Sequence, residues 1–336
     1  MSANVETMAY FGSVPWHGDG TPASEDQLRS VEEFGKAADI LWGVHKEPLM
    51  TVASAQTSID AADDWDDVIF EPNVNSHAVV RNSDQSVLGV VGPRYQPLQN
   101  RDALKWFEPW LESKELAFHT AGSLCGGQKV WVLAQVTNND SVAEVSPGDD
   151  VGQFVMLSNS HDGTTSVRVG FSRIRIVCAN TLAQAHRDRA SQLIRIRHSQ
   201  QLQVNLENIR EIMNVAKADF EADVEKYQFL ASRHINTADL RKYVKTCLGI
   251  DTSKTEDDLS TRSKNTLERV IGLIDAPAQV VSTQSKHTYW TAYNAVNEFF
   301  GYHQGRNESN RLNSLWFGVN KANDQEAFKL ALEMAV

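Results

Sequence analysis

Apolar residues recur along this chain with two periods, and the switch between them organises it. From about residue 77 to 178 the apolar positions alternate with polar ones, the period of a half-buried strand. "HAVVRN" and "SVLGVVG" flank the turn-rich "NSDQS" and predict a hairpin. In "GGQKVWVLAQV", Val130, Val132, Ala134 and Val136 alternate with Trp131, Leu133 and Gln135, so that strand is expected to be buried on both faces. "DVGQFVMLSNSHDGTTSVRVGF" predicts strand, Asp-Gly turn, strand. The apolar phase then slips by one residue near Ser172, from Val167, Val169 and Phe171 to Ile174, Ile176 and Cys178, which predicts a bulge or short turn.

Helical period appears in several places. "SEDQLRSVEEFGKAADI" places Leu28, Val31, Phe34 and Ala38 on one face behind the N-cap candidate Ser24. "RDALKWFEPWLESK" predicts a second helix interrupted by Pro109, and Asn180 or Thr181 is placed to cap a third through about Ser191. "LIRIRHS" returns to alternation. From Gln201 a stripe of Leu202, Leu206, Ile209, Met213, Ala216, Phe220, Val224, Tyr227 and Leu230 predicts one long amphipathic helix. More helices follow at 238–248, at 263–275, over "TYWTAYNAVNEFFGYH" and over "DQEAFKLALEMAV". The expected fold class is α+β, a central antiparallel sheet with a long packed helix and then a mostly helical C-terminal region. Three parts are expected: an acidic region with a short helix (1–76), a sheet-rich core with the long helix (77–232), and helices (233–336).

Composition adds a bound on class. The 336 residues are 41% hydrophobic and 22% charged, as in a soluble globular protein. No apolar run approaches the roughly 18 residues of a membrane span, and the first twenty residues lack the basic-then-apolar pattern of a signal peptide. Three separated cysteines (Cys125, Cys178, Cys247) point to reduced, buried thiols. A cytoplasmic protein without membrane partners is therefore expected.

Charge changes the picture more. The net charge of -11 sits mainly in residues 1–100, which hold 5 Lys and Arg against 15 Asp and Glu. Residues 163–200 run the other way, with seven arginines (Arg168, Arg173, Arg175, Arg187, Arg189, Arg195, Arg197), no lysine and one acid, Asp188. Solvent-facing strands ordinarily mix both signs, because like charges on neighbouring strands repel. Guanidinium forks suit phosphate oxygens and stack on bases, so the segment is expected to bind an anion, a nucleic-acid strand first among them. Phe171, Tyr95 and Trp131 are candidate stacking platforms.

Catalytic chemistry finds less support. The ten histidines include no HExxH or HxH spacing. His161 and Asp162 in "SHDG" are adjacent, as in some metal phosphohydrolases, but an Asp-Gly turn explains the same residues. Neither Cys125 in "SLCGGQ" nor Cys178 has a base that sequence alone brings near it. GxSxG, P-loop and GxGxxG motifs are absent. No cofactor or metal is expected, and the protein is expected not to be an enzyme.

"PWHGDG", "LWGVHKEPL", "VLGVVGPRYQPLQN", "TAGSLCGGQKVWVLAQV", "SNSHDGTTSVRV", "RIVCANTL" and "IRHS" occur here in the order seen in a widespread phage- and plasmid-encoded family. The chain resembles that family, known simply as the phage/plasmid-like protein, a domain of unknown function, from residue 10 to about 330. The resemblance implies a bacteriophage or plasmid product acting in the bacterial cytoplasm, and implies no activity. Basic strands followed by a long helix also look like the core of single-strand annealing recombinases of the RecT and Red-beta type. That resemblance implies rings or filaments of identical copies holding single-stranded DNA with its bases accessible, with no ATP and no nuclease centre. On this reading Arg168, Arg173, Arg175, Arg195 and Arg197 neutralise phosphates, with Arg187 and Arg189 reaching in beside them. Five contacts predict a log affinity against log salt slope of roughly -3.5 on single strands. A protein-interaction module and a metal-dependent phosphohydrolase around His161 and Asp162 are the alternatives.

Overall fold

The strand-period segments form two sheets in a computed structural model, which describes residues 5–12, 20–54, 69–137, 141–175, 180–182, 194–209, 216–275, 287–304 and 319–336. In the larger sheet β11 (Asn180–Leu182), β10 (Val167–Arg175), β9 (Asp149–Ser160), β7 (Lys129–Val136), β6 (Leu116–Leu124), β1 (Val5–Tyr10) and β2 (Thr21–Pro22) lie side by side in that order. β8 (Val142–Ser146) adds to β9, and β12 (Ile194–Ile196) adds to β10. Every pairing is antiparallel except β1 with β2. A smaller antiparallel sheet holds β3 (Val44–Ser54), β4 (Ile69–Arg81) and β5 (Val87–Val91).

Burial follows the alternation. On β7, Val130, Val132 and Ala134 join the main core, while Trp131 and Leu133 join Met8, Phe154, Met156 and Ile174 on the opposite face. The main core is closed by α1 (Val31–Ala37), α2 (Asn100–Lys105), α3 (Glu108–Glu112) and α4 (Leu202–Ile209). Ser24 closes a capping box on a short 3-10 turn, and Ser30 caps α1 by accepting from the Glu33 amide. Pro109 lies in the first turn of α3, where a missing N–H leaves no bond unmade, so it starts a helix here.

A second core gathers α5 (Ala216–Ser232), α6 (Thr237–Cys247), α7 (Thr261–Leu273), α8 (Tyr289–Glu298) and α9 (Val319–Met334) around Tyr227, Tyr243, Trp290, Tyr293 and Phe328. It reaches the sheet through Val145 and Val151. The fold is therefore α+β, with a central sheet and a predominantly helical C-terminal region. No helix among the described residues is long and apolar enough to cross a membrane.

Several expectations need correction. The stripe beginning at Leu202 serves two cores. Leu202 and Leu206 pack in the first, and Phe220, Val224, Tyr227 and Leu230 in the second, with 210–215 outside the described residues. Asn180 and Thr181 are strand residues of β11 rather than helix caps. The slip near Ser172 is no bulge, because β10 pairs with β9 without interruption from Arg168 to Arg175. Both faces of β10 are buried there: Val167, Val169 and Phe171 face the main core, and Ile174 faces the opposite cluster. A boundary at residue 76 falls inside β4, and β1 is hydrogen-bonded within the larger sheet, so the acidic third is woven into the rest. The boundary at 232 coincides with the end of α5, which packs on β8 and β10 of the larger sheet as well as on the C-terminal helices.

Candidate nucleic-acid interface

β10 sets the geometry of the arginines, since neighbours along a strand point to opposite faces. Arg168 lies directly opposite Arg195 of β12. The row continues inward from Arg168 to Ser158 on β9 and Trp131 on β7. Arg195 is exposed, Arg168 is half-buried, and Trp131 is buried, so this row runs from solvent onto an apolar floor. Directly opposed side chains in an antiparallel pair have Cβ atoms about 5 Å apart, where like charges destabilise. Burial, and then the Arg195 charge, hold the Arg168 guanidinium below its ordinary pKa. Arg197, one residue beyond β12, is exposed as well.

Arg173 belongs elsewhere. Five residues from Arg168 on an unbroken strand, it projects from the other face, against α5. Its Nε lies 3.2 Å from the Asp223 carboxylate, with side chains 1% and 2% exposed. The guanidinium also sits 5.1 Å from the centroid of the Phe220 ring. A cation so enclosed has no access to a phosphate, and Arg173 leaves the set of expected DNA contacts. Arg175 pairs through its backbone with Val151 and Asn180, while Arg187 and Arg189 lie outside the described residues. The expected stacking platforms are interior too. Phe171 and Trp131 are 6% and 1% exposed, and Tyr95 stacks on His198 while its hydroxyl donates to the Ser160 carbonyl.

A readable signal for Arg173 lay in α5. Asp223 falls three residues after Phe220 and four before Tyr227, on the apolar stripe itself. A carboxylate in that position requires a buried cation to meet it.

The "SHDG" residues have structural work. The Asp162 carboxylate accepts from the Thr164 amide and hydroxyl and from the Ser160 hydroxyl, which is turn chemistry. His161 is fully buried, and its Nε2 donates to Asn100 Oδ1 at 2.8 Å. Burial pushes the imidazole down to about 3, so it is neutral. Among the described residues no three His, Cys, Asp or Glu side chains converge to hold a metal ion. Burial pushes the Cys247 thiol up to about 12, which makes it a poor nucleophile. Cys178 lies outside the described residues.

A family model described as "Domain of unknown function (DUF932)" matches residues 87–316. The chain belongs to this family. The DUF932 match takes in β5 to α8, all seven arginines and both sides of the Arg173–Asp223 pair, and leaves β1 to β4 outside. No curated protein and no solved structure matches the chain.

Proposed function

We propose that this DUF932 protein binds single-stranded DNA along the arginine edge of its larger sheet and anneals complementary strands, without ATP and without a covalent step. One observation carries the reading: Arg168 and Arg195 oppose each other on a strand pair, where their charges repel, and Arg197 is exposed beside them. Two guanidinium groups held in register present paired positive charge to an anion seated between them. A phosphodiester suits the position, because each fork offers paired N–H donors to its oxygens. Several such contacts along an extended edge favour a chain of phosphates over a single anion. Gripping the strand by its backbone leaves base edges free to test a complement.

Arg187 and Arg189 extend the track on sequence grounds. The layout of an antiparallel sheet followed by α4 and α5 is also what the resemblance to annealing recombinases rests on. Several copies side by side on DNA, as a ring or filament, would join their edges into one longer cationic path.

Fluorescence anisotropy with a labelled single-stranded oligonucleotide tests the reading. Three phosphate contacts predict a log–log salt slope of roughly -2, or about 20-fold weaker binding on going from about 50 to about 200 mM salt. The Arg168→Ala/Arg195→Ala/Arg197→Ala variant is expected to lose that slope and to fail in annealing complementary oligonucleotides. Equal affinity and equal slope in the two proteins would reject the edge as the site.

A further inference from the structure

The smaller sheet carries a second surface, distinct from the arginine edge. β5 pairs only with residues 77–80 of β4, so the outer parts of β3 and β4 form a two-stranded ribbon without a third strand among the described residues. On this ribbon Met50 lies opposite Pro72, and Val52 lies opposite Phe70. Val74 follows Asn73 at the register break that leaves 74–76 unpaired, and strand alternation puts Leu49, Thr51, Ile69, Glu71 and Asn73 on the other face. Met50, Val52, Phe70 and Pro72 make one face wholly apolar, whereas the other mixes Leu49 and Ile69 with polar side chains. Yet Met50, Val52, Phe70 and Val74 are 53%, 48%, 48% and 76% exposed. The cluster that anchors the small sheet, Val44, Val79, Leu88 and Val91, lies nearer its base. A two-stranded ribbon with an uncovered apolar face is marginal in water, and a contiguous apolar patch marks a contact surface.

We propose that this face pairs with the same face of a second copy of the chain, about a two-fold axis. The face is built from Met50, Val52, Phe70 and Pro72, with Val74 beside it, and holds no charge, so it meets an identical face without repulsion. The other large exposed apolar side chains away from the small sheet, Val142, Val204, Val319 and the terminal Val336, lie on separate elements and form no alternative receiving surface among the described residues. From these exposures, each copy offers on the order of 500 Å², so a pair hides about 1,000 Å², the lower end of specific interfaces. That area gives a reversible dimer. The contact is apolar, so salt does not weaken it, whereas binding at the arginine edge weakens with salt. The two surfaces are thereby separable by experiment.

Sedimentation equilibrium of the full chain without DNA, from low to high micromolar concentration, tests the pairing. The wild-type mass is expected to climb from monomer to dimer and stop there, at low and at high salt alike. Val52→Glu/Phe70→Glu is expected to raise the dissociation constant on the order of 100-fold. Both positions are exposed, and an unchanged circular dichroism spectrum confirms that the variant folds. Met50→Ser/Val74→Ser, which adds no charge, is expected to weaken the dimer as well. A wild-type chain that stays monomeric overturns the pairing and assigns the face to a different partner. A dimer untouched by both variants, or assembly beyond the dimer without DNA, overturns it equally.

Discussion

Arg173 and Arg168 share a strand and a side-chain chemistry, and they end in opposite environments. Sequence alternation separates them correctly, since an odd spacing sends them to different faces. What it leaves open is which face becomes interior, because α5 arrives from fifty residues further along the chain. The consequence is measurable. Removing one partner of a buried ion pair strands the other charge in a medium that solvates it poorly, at a cost of about 3–5 kcal/mol. Arg173→Met is expected to lower urea-unfolding stability by that amount and to show coupling with Asp223→Asn in a double-mutant cycle. While folded, the variant is expected to bind oligonucleotide as wild type does. A loss below about 1 kcal/mol would place the pair in a far more solvated setting.

At the scale of elements, most strands were legible and their partners were not. β7 announced its two buried faces by filling both registers with apolar residues. The slip at Ser172 was legible as an event, and its cause was not: a strand covered on both sides can move its apolar positions from one face to the other without breaking register. The stripe across α4 and α5 read as a single packing face because periodicity is blind to which core a residue meets. The two sheets meet where no pattern predicts contact. A Cβ built on Gly89 of β5 would lie 2.4 Å from the Asp162 Cα, at the β9–β10 turn. Both sides of that contact are backbone, so neither side can swing away. Gly89→Ala is expected to cost about 1–3 kcal/mol through forced backbone displacement. It is also expected to raise amide exchange at Thr164 and Thr165. A neutral effect would mean that the sheets slide freely past one another.

For the whole molecule, acid is the condition that exposes how the interior is built. Sequence marked His161 only as half of a possible metal pair, because Asn100, its partner, lies some sixty residues earlier. Its Nε2 hydrogen is spent on Asn100, and its Nδ1 has no partner among the described residues, so a second proton would be buried without an acceptor there. His119 is pushed down to about 4 by burial, and His198 is held below its usual value for the same reason. For a group whose folded pKa lies below its unfolded value near 6.5, the unfolded chain binds the extra proton first. Stability is then complete above about pH 6.5 and falls as pH drops, at about 1.4 kcal/mol per pH unit for each such imidazole. With a folded value of about 3, His161 alone removes about 2 kcal/mol between pH 7 and pH 5. Glu6, held below the usual carboxylate range by Arg81, adds a loss of the same sign at lower pH. Lowering the net charge from -11 acts the other way by easing self-repulsion, but that effect is spread over the surface and screened by salt. The local terms win. Urea midpoints measured across this range are expected to fall steadily with acidification, and His161→Gln, whatever its stability at pH 7, is expected to show a shallower fall. An equal slope in the variant would mean that the His161 imidazole reaches water in the folded protein, and that the polar cluster joining α2 to the β9–β10 turn is open.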